Sequence, residues 1–441
     1  MDIIVVLFLR RHFIFLFLSL CLLHLSCTNS PTRDHVTQRP HLLILGLDGI
    51  GYAQMKKTQE GGYFRSFKPV SPMVASFPSI SDPNWCLLMG LPPEASFTKE
   101  YFDIVENKPK GSLIDHVSHP PHYESEFDFR PEGALEHLAS MTWSMATGLY
   151  WLDAMEKKLF ETTDKSVFKA FIVNTDFLSH TKGEDEIIKY LVEMDGKLEE
   201  IRKRYKEAYG IDLEIVLVSD HGNVFLNPKS VLPAEELTKH GWHVVDHIEK
   251  EKDVGFVIPE ILSFAAFYAK KNQEQKLAKD LSRVTGVHVA IAKGDGNSLD
   301  FYSQAGKGHS RVSFDRKRKT LNYKVLQGKD PFGHISLFKK GPITWHKYFV
   351  ETLSTDYPNA LLRAWQGFTI NSQQKPSVLV SPILGYVFSN KTLELITNVM
   401  GLKSVHGSFH RKESLGIVMS THRELPPLPP EMFLPVVLKQ N

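Results

Sequence analysis

Cysteine is nearly absent from this chain: 441 residues hold three, Cys21, Cys27 and Cys86. The first two fall in or just after an apolar N-terminal stretch, which leaves Cys86 alone. A disulfide framework therefore does not staple the fold, even in an oxidising compartment, and stability has to come from the core. The scarcity of thiolates also disfavours a structural Cys-rich zinc site. Excess charge of one sign is missing too, with 52 Lys plus Arg against 50 Asp plus Glu and a net charge of +2. That balance gives no reason to expect nucleic acid or an anionic membrane surface as a partner. No Gly/Ser linker or low-complexity tract divides the chain, so one large domain with insertions is as natural as two.

Long hydrophobic runs are confined to the N-terminus. Arg10 and Arg11 precede an almost unbroken apolar stretch from Phe13 to Leu25, the size of a signal-peptide core and short of the about 20 residues that span a bilayer. Ser26-Cys27 followed by Thr28-Asn29-Ser30 resembles a bacterial lipoprotein cleavage site, with His24 where Leu is usual. Residues 1–27 are accordingly expected to be a signal peptide, with Cys27 lipidated; a plain cleaved signal and an uncleaved anchor are the alternatives. The expected location is periplasmic or anchored to a membrane, with membrane contact through this segment alone.

The rest of the chain has an α/β rhythm. Leu42 to Leu47, Phe168 to Val173 and Glu214 to Val218 are apolar runs suited to strands of a parallel sheet buried on both faces, and each delivers an acidic residue shortly after its last apolar position. That sheet edge is where open α/β folds bind ligands. Between the second and third run, Ile187, Leu191, Met194, Leu198, Ile201 and Tyr205 recur at helical spacing, predicting an amphipathic helix against the sheet. Ser263 to Lys270, Gln273 to Val284, Val287 to Lys293 and Ser298 to Tyr302 continue as strand, helix, strand, strand. The expected organisation is a first catalytic part over 40–227, an inserted cap over 228–375, a last catalytic part over 376–424 with strands at Ser377 to Ser381 and Leu415 to Ser420, and a Pro-rich tail over 425–441 running extended on the surface.

The chemistry resides in residues that close these runs: Asp48, Asp176 with His180, Asp220 with His221, and His406. Three carboxylates and three imidazoles without thiolates suit two divalent ions, Zn²⁺ or Mn²⁺. Asp176 and His180 are spaced to face one ion from a single helical turn. The segment Phe77-Pro78-Ser79-Ile80-Ser81-Asp82-Pro83-Asn84 offers a hydroxyl at Ser81 that such ions could activate toward a phosphate ester. Each fragment alone has an ordinary explanation: an Asp-Gly after a strand is usually a turn, and a Ser before Asp-Pro-Asn is a plausible helix cap. Their order along the chain is what carries weight.

In that order the fragments resemble the alkaline phosphatase superfamily, in its type I phosphodiesterase/nucleotide pyrophosphatase branch: Leu47-Asp48-Gly49, Phe77 to Asn84, Asp176 to His180, Ser219-Asp220-His221-Gly222 and Val405-His406-Gly407. The resemblance spans nearly all of the chain beyond the leader. It implies a mostly parallel mixed central sheet with helices on both faces, an inserted α+β subdomain and hydrolysis of a small phosphoester. It further implies one ion at Asp176, His180 and His406, another at Asp48, Asp220 and His221, Ser81 as bridging nucleophile, and Asn84 as hydrogen-bond donor to a phosphoryl oxygen. Phosphomonoester hydrolysis, phosphoryl or phosphoethanolamine transfer, and a non-catalytic surface lipoprotein are the alternatives. Sulfatase chemistry is disfavoured because no Cys/Ser-x-Pro-x-Arg segment occurs.

Departures from the family pattern concentrate around the nucleophile. Ser81 stands where Thr is usual, Asp82 where an aromatic residue is usual, and Trp85 where His is common. His116, His119 and His122 near Asp115 suggest a third metal site or, more simply, a surface insertion. Trp85, Phe127, Phe129 and Trp143 suggest a stacking surface for a leaving group or, more simply, core packing.

Overall fold

The computed structural model describes residues 38–111, 120–131, 144–257, 262–390, 394 and 401–439. The leader, His116, His119, Asp115 and Trp143 lie outside the described residues. Among the described residues no helix is long and apolar enough to cross a membrane.

One sheet contains five strands: β1 (Leu42–Leu47), β2 (Ser71–Val74), β3 (Val167–Ile172), β4 (Glu214–Val218) and β5 (Leu415–Ser420), arranged β2-β5-β4-β1-β3. It is mixed, with β3, β1 and β4 parallel, β5 antiparallel to β4, and the edge strand β2 antiparallel to β5. β1 occupies the middle of the parallel trio and is buried along its whole length, which explains its uninterrupted apolar sequence. In the register, Leu42 lies opposite Val167 on one side and Glu214 on the other. The C-terminal ends of all three strands therefore reach the same edge, and the acidic residues that follow them are brought together.

The helices that matter for the site are α1 (Ser81–Leu88), α2 (Asn174–Lys182), α3 (Glu184–Tyr209), α4 (Ala360–Thr369) and the short α5 (Phe433–Val437). All six apolar positions expected to line one face of α3 are buried, and they join Leu43, Leu45, Leu47 and Leu217 in a single core cluster. On the opposite sheet face Ile44, Trp85, Phe171, Val216 and Val218 form a second cluster. Trp85 lies directly over β1, where a Cβ on Gly46 would stand 2.7 Å from the indole. A side chain at position 46 would displace that ring, so glycine is what permits this packing.

A second sheet has nine strands, ordered 343–344, 320–327, 308–315, 298–303, 287–293, 378–382, 265–269, 253–256 and 243–244. Strand 378–382, expected in the last catalytic part, pairs here with 265–269 and 287–293 instead of joining the five-stranded sheet. An apolar run such as Val378-Leu379-Val380 fits the middle of either sheet, so its sequence does not say which one it joins. The Pro-rich tail also differs from the extended surface course expected of it. Leu428 bridges to Met73, and Leu425, Leu428, Phe433 and Val437 pack into the cluster around Trp85. Prolines suppressed the helical signal there, but the apolar residues between them are spaced to be buried once α5 forms.

Candidate active site

Asp48 follows the last residue of β1 and is 5% exposed. The next residue, Gly49, has φ +66, and a Cβ there would stand 2.2 Å from Asp176 Oδ1, so both conformation and space require glycine. Its backbone N–H donates to Asp220 Oδ1 at 3.3 Å, and that of Ile50 donates to Ser219 Oγ at 2.8 Å. α2 begins shortly after β3 and presents Asp176 in its first turn and His180 in its last. Beyond β4, Ser219-Asp220-His221 is fully buried. The turn is held by Ser219 N–H to Ile417 O, 2.9 Å, and Gly222 N–H to Glu413 O, 3.1 Å. The two-residue strand Ser404–Val405 pairs with Val224–Phe225 and carries His406 to the same place.

All six expected ligands meet. His180 Nε2 lies 3.1 Å and His406 Nε2 3.6 Å from Asp176 Oδ2, while His221 Nε2 lies 3.4 Å from Asp220 Oδ2 and 3.9 Å from Asp48 Oδ1. The histidines share a second feature. Nδ1 of His180 faces Ser404 O at 2.8 Å, Nδ1 of His406 faces Ser79 O at 3.0 Å, and Nδ1 of His221 faces Gly222 O at 3.1 Å. A carbonyl only accepts, so each ring donates from Nδ1, and this fixes the ring with Nε2 facing the carboxylates. His221 belongs to two groups whose ligand atoms all lie within 4.8 Å of one another, one with Asp48 and Asp220 and one with Asp176 and His406. The His221 and His406 rings stack at 4.0 Å, and His180 forms the outer wall beside Asp176.

Three carboxylates this close are electrostatically strained without cations. Burial, with Asp220 and Asp176 nearby, holds Asp48 well above the usual carboxylate range. Burial likewise raises Asp220 to about 7, and its Oδ2 has no hydrogen-bond partner. Asp176 goes the other way: burial opposes its charge, but the imidazoles of His180 and His406 outweigh that and hold it well below the usual range. Burial and then His406 depress His221 to about 3. An orphaned buried oxygen, crowded carboxylates and three pre-oriented Nε2 atoms fit divalent cations as bound partners.

Ser81 opens α1 at the mouth of this cluster. Its hydroxyl donates to Asp48 Oδ1 at 3.0 Å and lies 3.4 Å from His221 Nε2. Asn84 does not fit the donor role expected of it. It is fully buried, its Nδ2 hydrogens go to Ile80 O at 2.8 Å and Pro78 O at 3.3 Å, and its Oδ1 accepts from Ser76 N–H at 2.7 Å. Both amide hydrogens are committed, so Asn84 holds the turn that presents Ser81. Trp85, Phe127 and Phe171 pack edge to face and stacked in the core, and Phe129 bridges to Ala170. Trp85, Phe127 and Phe129 therefore serve the fold, and Trp85 also turns its Nε1 toward Asp48 Oδ1, 3.4 Å away.

Sequence reasoning missed Asn223 and Arg363. Asn223 Nδ2 donates to Asp176 Oδ1 at 2.7 Å and Gly49 O at 3.0 Å, and its Oδ1 accepts from Ser404 Oγ at 3.1 Å, so it fixes the carboxylate that His180 and His406 share. Its place directly after Asp220-His221-Gly222 was the available signal. Arg363, on α4, is fully buried and donates to Ser79 Oγ at 2.6 Å, Phe409 O at 2.9 Å and Ser408 O at 3.2 Å. It ties the segment before Ser81 to the loop after His406, and nothing in its sequence surroundings marks it. Replacing Arg363 with Ala strands these acceptors in the core and is expected to destabilise the protein by more than about 3 kcal/mol in chemical unfolding, with Lys recovering only part.

An α/β architecture with this cluster at the carboxyl edge of parallel strands is the arrangement that a phosphoric ester hydrolase requires, and the family comparison points to the same class. The model of the type I phosphodiesterase / nucleotide pyrophosphatase family matches residues 107–325, and over that stretch the chain is similar to that family. The matched stretch includes Asp176, His180, Asp220 and His221, while Asp48, Ser81 and His406 lie outside it. No curated protein sequence matches the chain. Among solved structures, murine ectonucleotide pyrophosphatase / phosphodiesterase 5, an inactive variant in complex with AMP, is similar at 11% identity over 90% of this chain and 94% of that one, with a TM-score of 0.50. The human protein of the same name is 11% identical over 90% and 93%, with a TM-score of 0.49. At this identity the likeness concerns the fold.

Proposed function

We propose that this protein is an exported, metal-dependent phosphodiesterase that works through a phosphoryl group carried on Ser81. The observation that carries this reading is the common aim of three Nε2 atoms and three carboxylates, with Ser81 Oγ 3.0 Å from Asp48 and 3.4 Å from His221. Asp176, His180 and His406 would hold one divalent ion and Asp48, Asp220 and His221 the other, Zn²⁺ or Mn²⁺. Bound there, such ions supply charge neutralisation for phosphoryl oxygens and acidify the serine hydroxyl.

The chain's own residues do the rest. Asp48 Oδ1 orients the Ser81 hydroxyl, and Asn84 fixes the turn beneath it. As Ser81 Oγ bonds to phosphorus it gives its proton to solvent, and the ester oxygen leaves with the bonding pair and takes up a proton; water then bonds to phosphorus, losing a proton, while Ser81 Oγ leaves with its bonding pair, is reprotonated and frees the phosphate product. The N-terminal end of α1, which Ser81 opens, would favour the anionic group in place of Asn84. Because a murine relative was solved with AMP, nucleotide diesters are the first substrates to try. Parallel assays of mono- and diester nitrophenyl phosphates on EDTA-stripped protein, with Zn²⁺ or Mn²⁺ restored separately, test the reading. Diester turnover that returns only with metal supports it; activity indifferent to EDTA contradicts it. Export is supported by Arg10, Arg11 and the apolar run that follows, and a cleaved N-terminus in the secreted product would test it.

The metal-free protein should also become less stable as pH rises from 6.5 to 9. Burial disfavours the charged His406 ring, but Asp176 outweighs this and raises it to about 9, while Asp220 lies at about 7. Unfolded Asp and His release their protons near 3.9 and 6.5, so in this window the folded chain holds protons the unfolded one has lost, and stability falls with pH. The depressed His221 acts in the opposite direction, but only below about 6.5. Melting in EDTA should shift downward across the window, whereas the shift produced by adding Zn²⁺ should grow, since metal takes the place of those protons. A metal effect independent of pH would count against these residues as ligands.

A further inference from the structure

A second group of ligand-type side chains lies on the other side of α1. Cys86, on the same helix as Ser81, is 1% exposed. Its Sγ is 3.9 Å from His122 Nε2, and Cys86, Glu94 and His122 offer one ligand atom each, all within 4.8 Å of one another. Glu94 Oε1 lies 2.6 Å from His122 Nδ1 and accepts the His122 backbone N–H at 2.7 Å. On the other side of the ring, Nε2 lies 3.0 Å from Pro92 O. Both ring nitrogens thus face acceptors, but a neutral imidazole has a single N–H. With the hydrogen on Nδ1, donated to Glu94, the Nε2 lone pair confronts the Pro92 carbonyl and the Cys86 sulfur.

We propose that Cys86, Glu94 and His122, with Pro92 O beside them, form a third cation site of the Zn²⁺ class, separate from the Asp/His cluster. His122 Nε2 and Cys86 Sγ are the primary donors, and Glu94 orients the ring through Nδ1, the arrangement that carboxylates commonly adopt behind zinc-bound histidine. Separations of 3.0 and 3.9 Å from Nε2 to the oxygen and sulfur suit neighbouring ligands about 2.0 to 2.3 Å from one ion. Binding releases the Cys86 proton to solvent, leaving a thiolate on the metal. Burial, then Glu94 and Asp82, push the free thiol up to about 12, so a thiolate forms here only against a cation. Access is from the His122 side, whose ring is 39% exposed. An ion here would clamp the 92–94 turn and the 122–126 segment onto the helix that opens with Ser81, and the site does not depend on what Ser81 does.

Cobalt distinguishes this site from the other, because only a cysteine ligand gives thiolate-to-Co²⁺ charge-transfer absorption in the near ultraviolet. Titrating the metal-stripped full chain with Co²⁺ should produce that band. Cys86→Ser should abolish it and bind one equivalent fewer by elemental analysis, and His122→Ala should weaken or abolish it. The His122 ring reaches the surface, so this variant carries the test if Cys86→Ser does not fold. A wild-type titration without the band, or a band and metal count unchanged in both variants, would overturn the proposal.

Discussion

Replacing Ser81 with alanine is expected to lower kcat on a nitrophenyl phosphodiester by on the order of 10³-fold or more while leaving KM within a small factor. Ser81 Oγ reaches only Asp48 and His221 among the contacts its side chain makes, and it contributes nothing to the packed clusters around Trp85 or β1. Its loss should therefore leave melting temperature and metal content nearly intact, which separates loss of the attacking atom from loss of the site. Ser81→Thr, which restores the residue common in the family, should keep measurable turnover. Wild-type kcat in Ser81→Ala would mean that water attacks phosphorus directly and that no phosphoserine forms.

Asp220→Asn should split stability from function. Asp220 is completely buried and raised to about 7, with Oδ2 unpartnered. Removing its charge relieves repulsion with Asp48 and Asp176, and the amide oxygen can still accept from Gly49 N–H. Without metal, at pH 8, the variant should be more stable than wild type by on the order of 2 kcal/mol. With metal the order reverses. Wild type at about 1,000 times its Kd gains about 4 kcal/mol from the ligand, whereas the variant should gain almost nothing, and its metal affinity and activity should fall by more than about 100-fold. Such a trade is expected where a fold tolerates crowded charge for the sake of a ligand. A variant that is less stable when stripped, or that still melts higher with Zn²⁺, would count against Asp220 as a ligand.

The parts of this site that are legible in sequence are those set by the ends of strands. β1 and β4 are short, apolar and buried on both faces, so their boundaries follow from composition, and the parallel register then forces Asp48, Asp176 and Asp220 to one edge. The amphipathic period of α3 is visible for the same reason: one face meets the core and the other meets water. Asn84 misled because a sequence motif shows residue type without direction, and the turn at Pro78 to Ile80 consumes both of its hydrogens. Arg363 was invisible because its partners are carbonyls and a hydroxyl from distant segments, and carbonyls carry no residue identity. Strand 378–382 could not be assigned to a sheet, since an apolar strand does not name its neighbours.

Anomalous X-ray diffraction at the zinc absorption edge, on crystals grown with Zn²⁺, tests the central claim most directly. Two peaks are predicted beside Ser81 Oγ, one contacted by Asp176, His180 and His406 and the other by Asp48, Asp220 and His221. Crystals showing no anomalous density among these six residues at saturating Zn²⁺ would contradict the account.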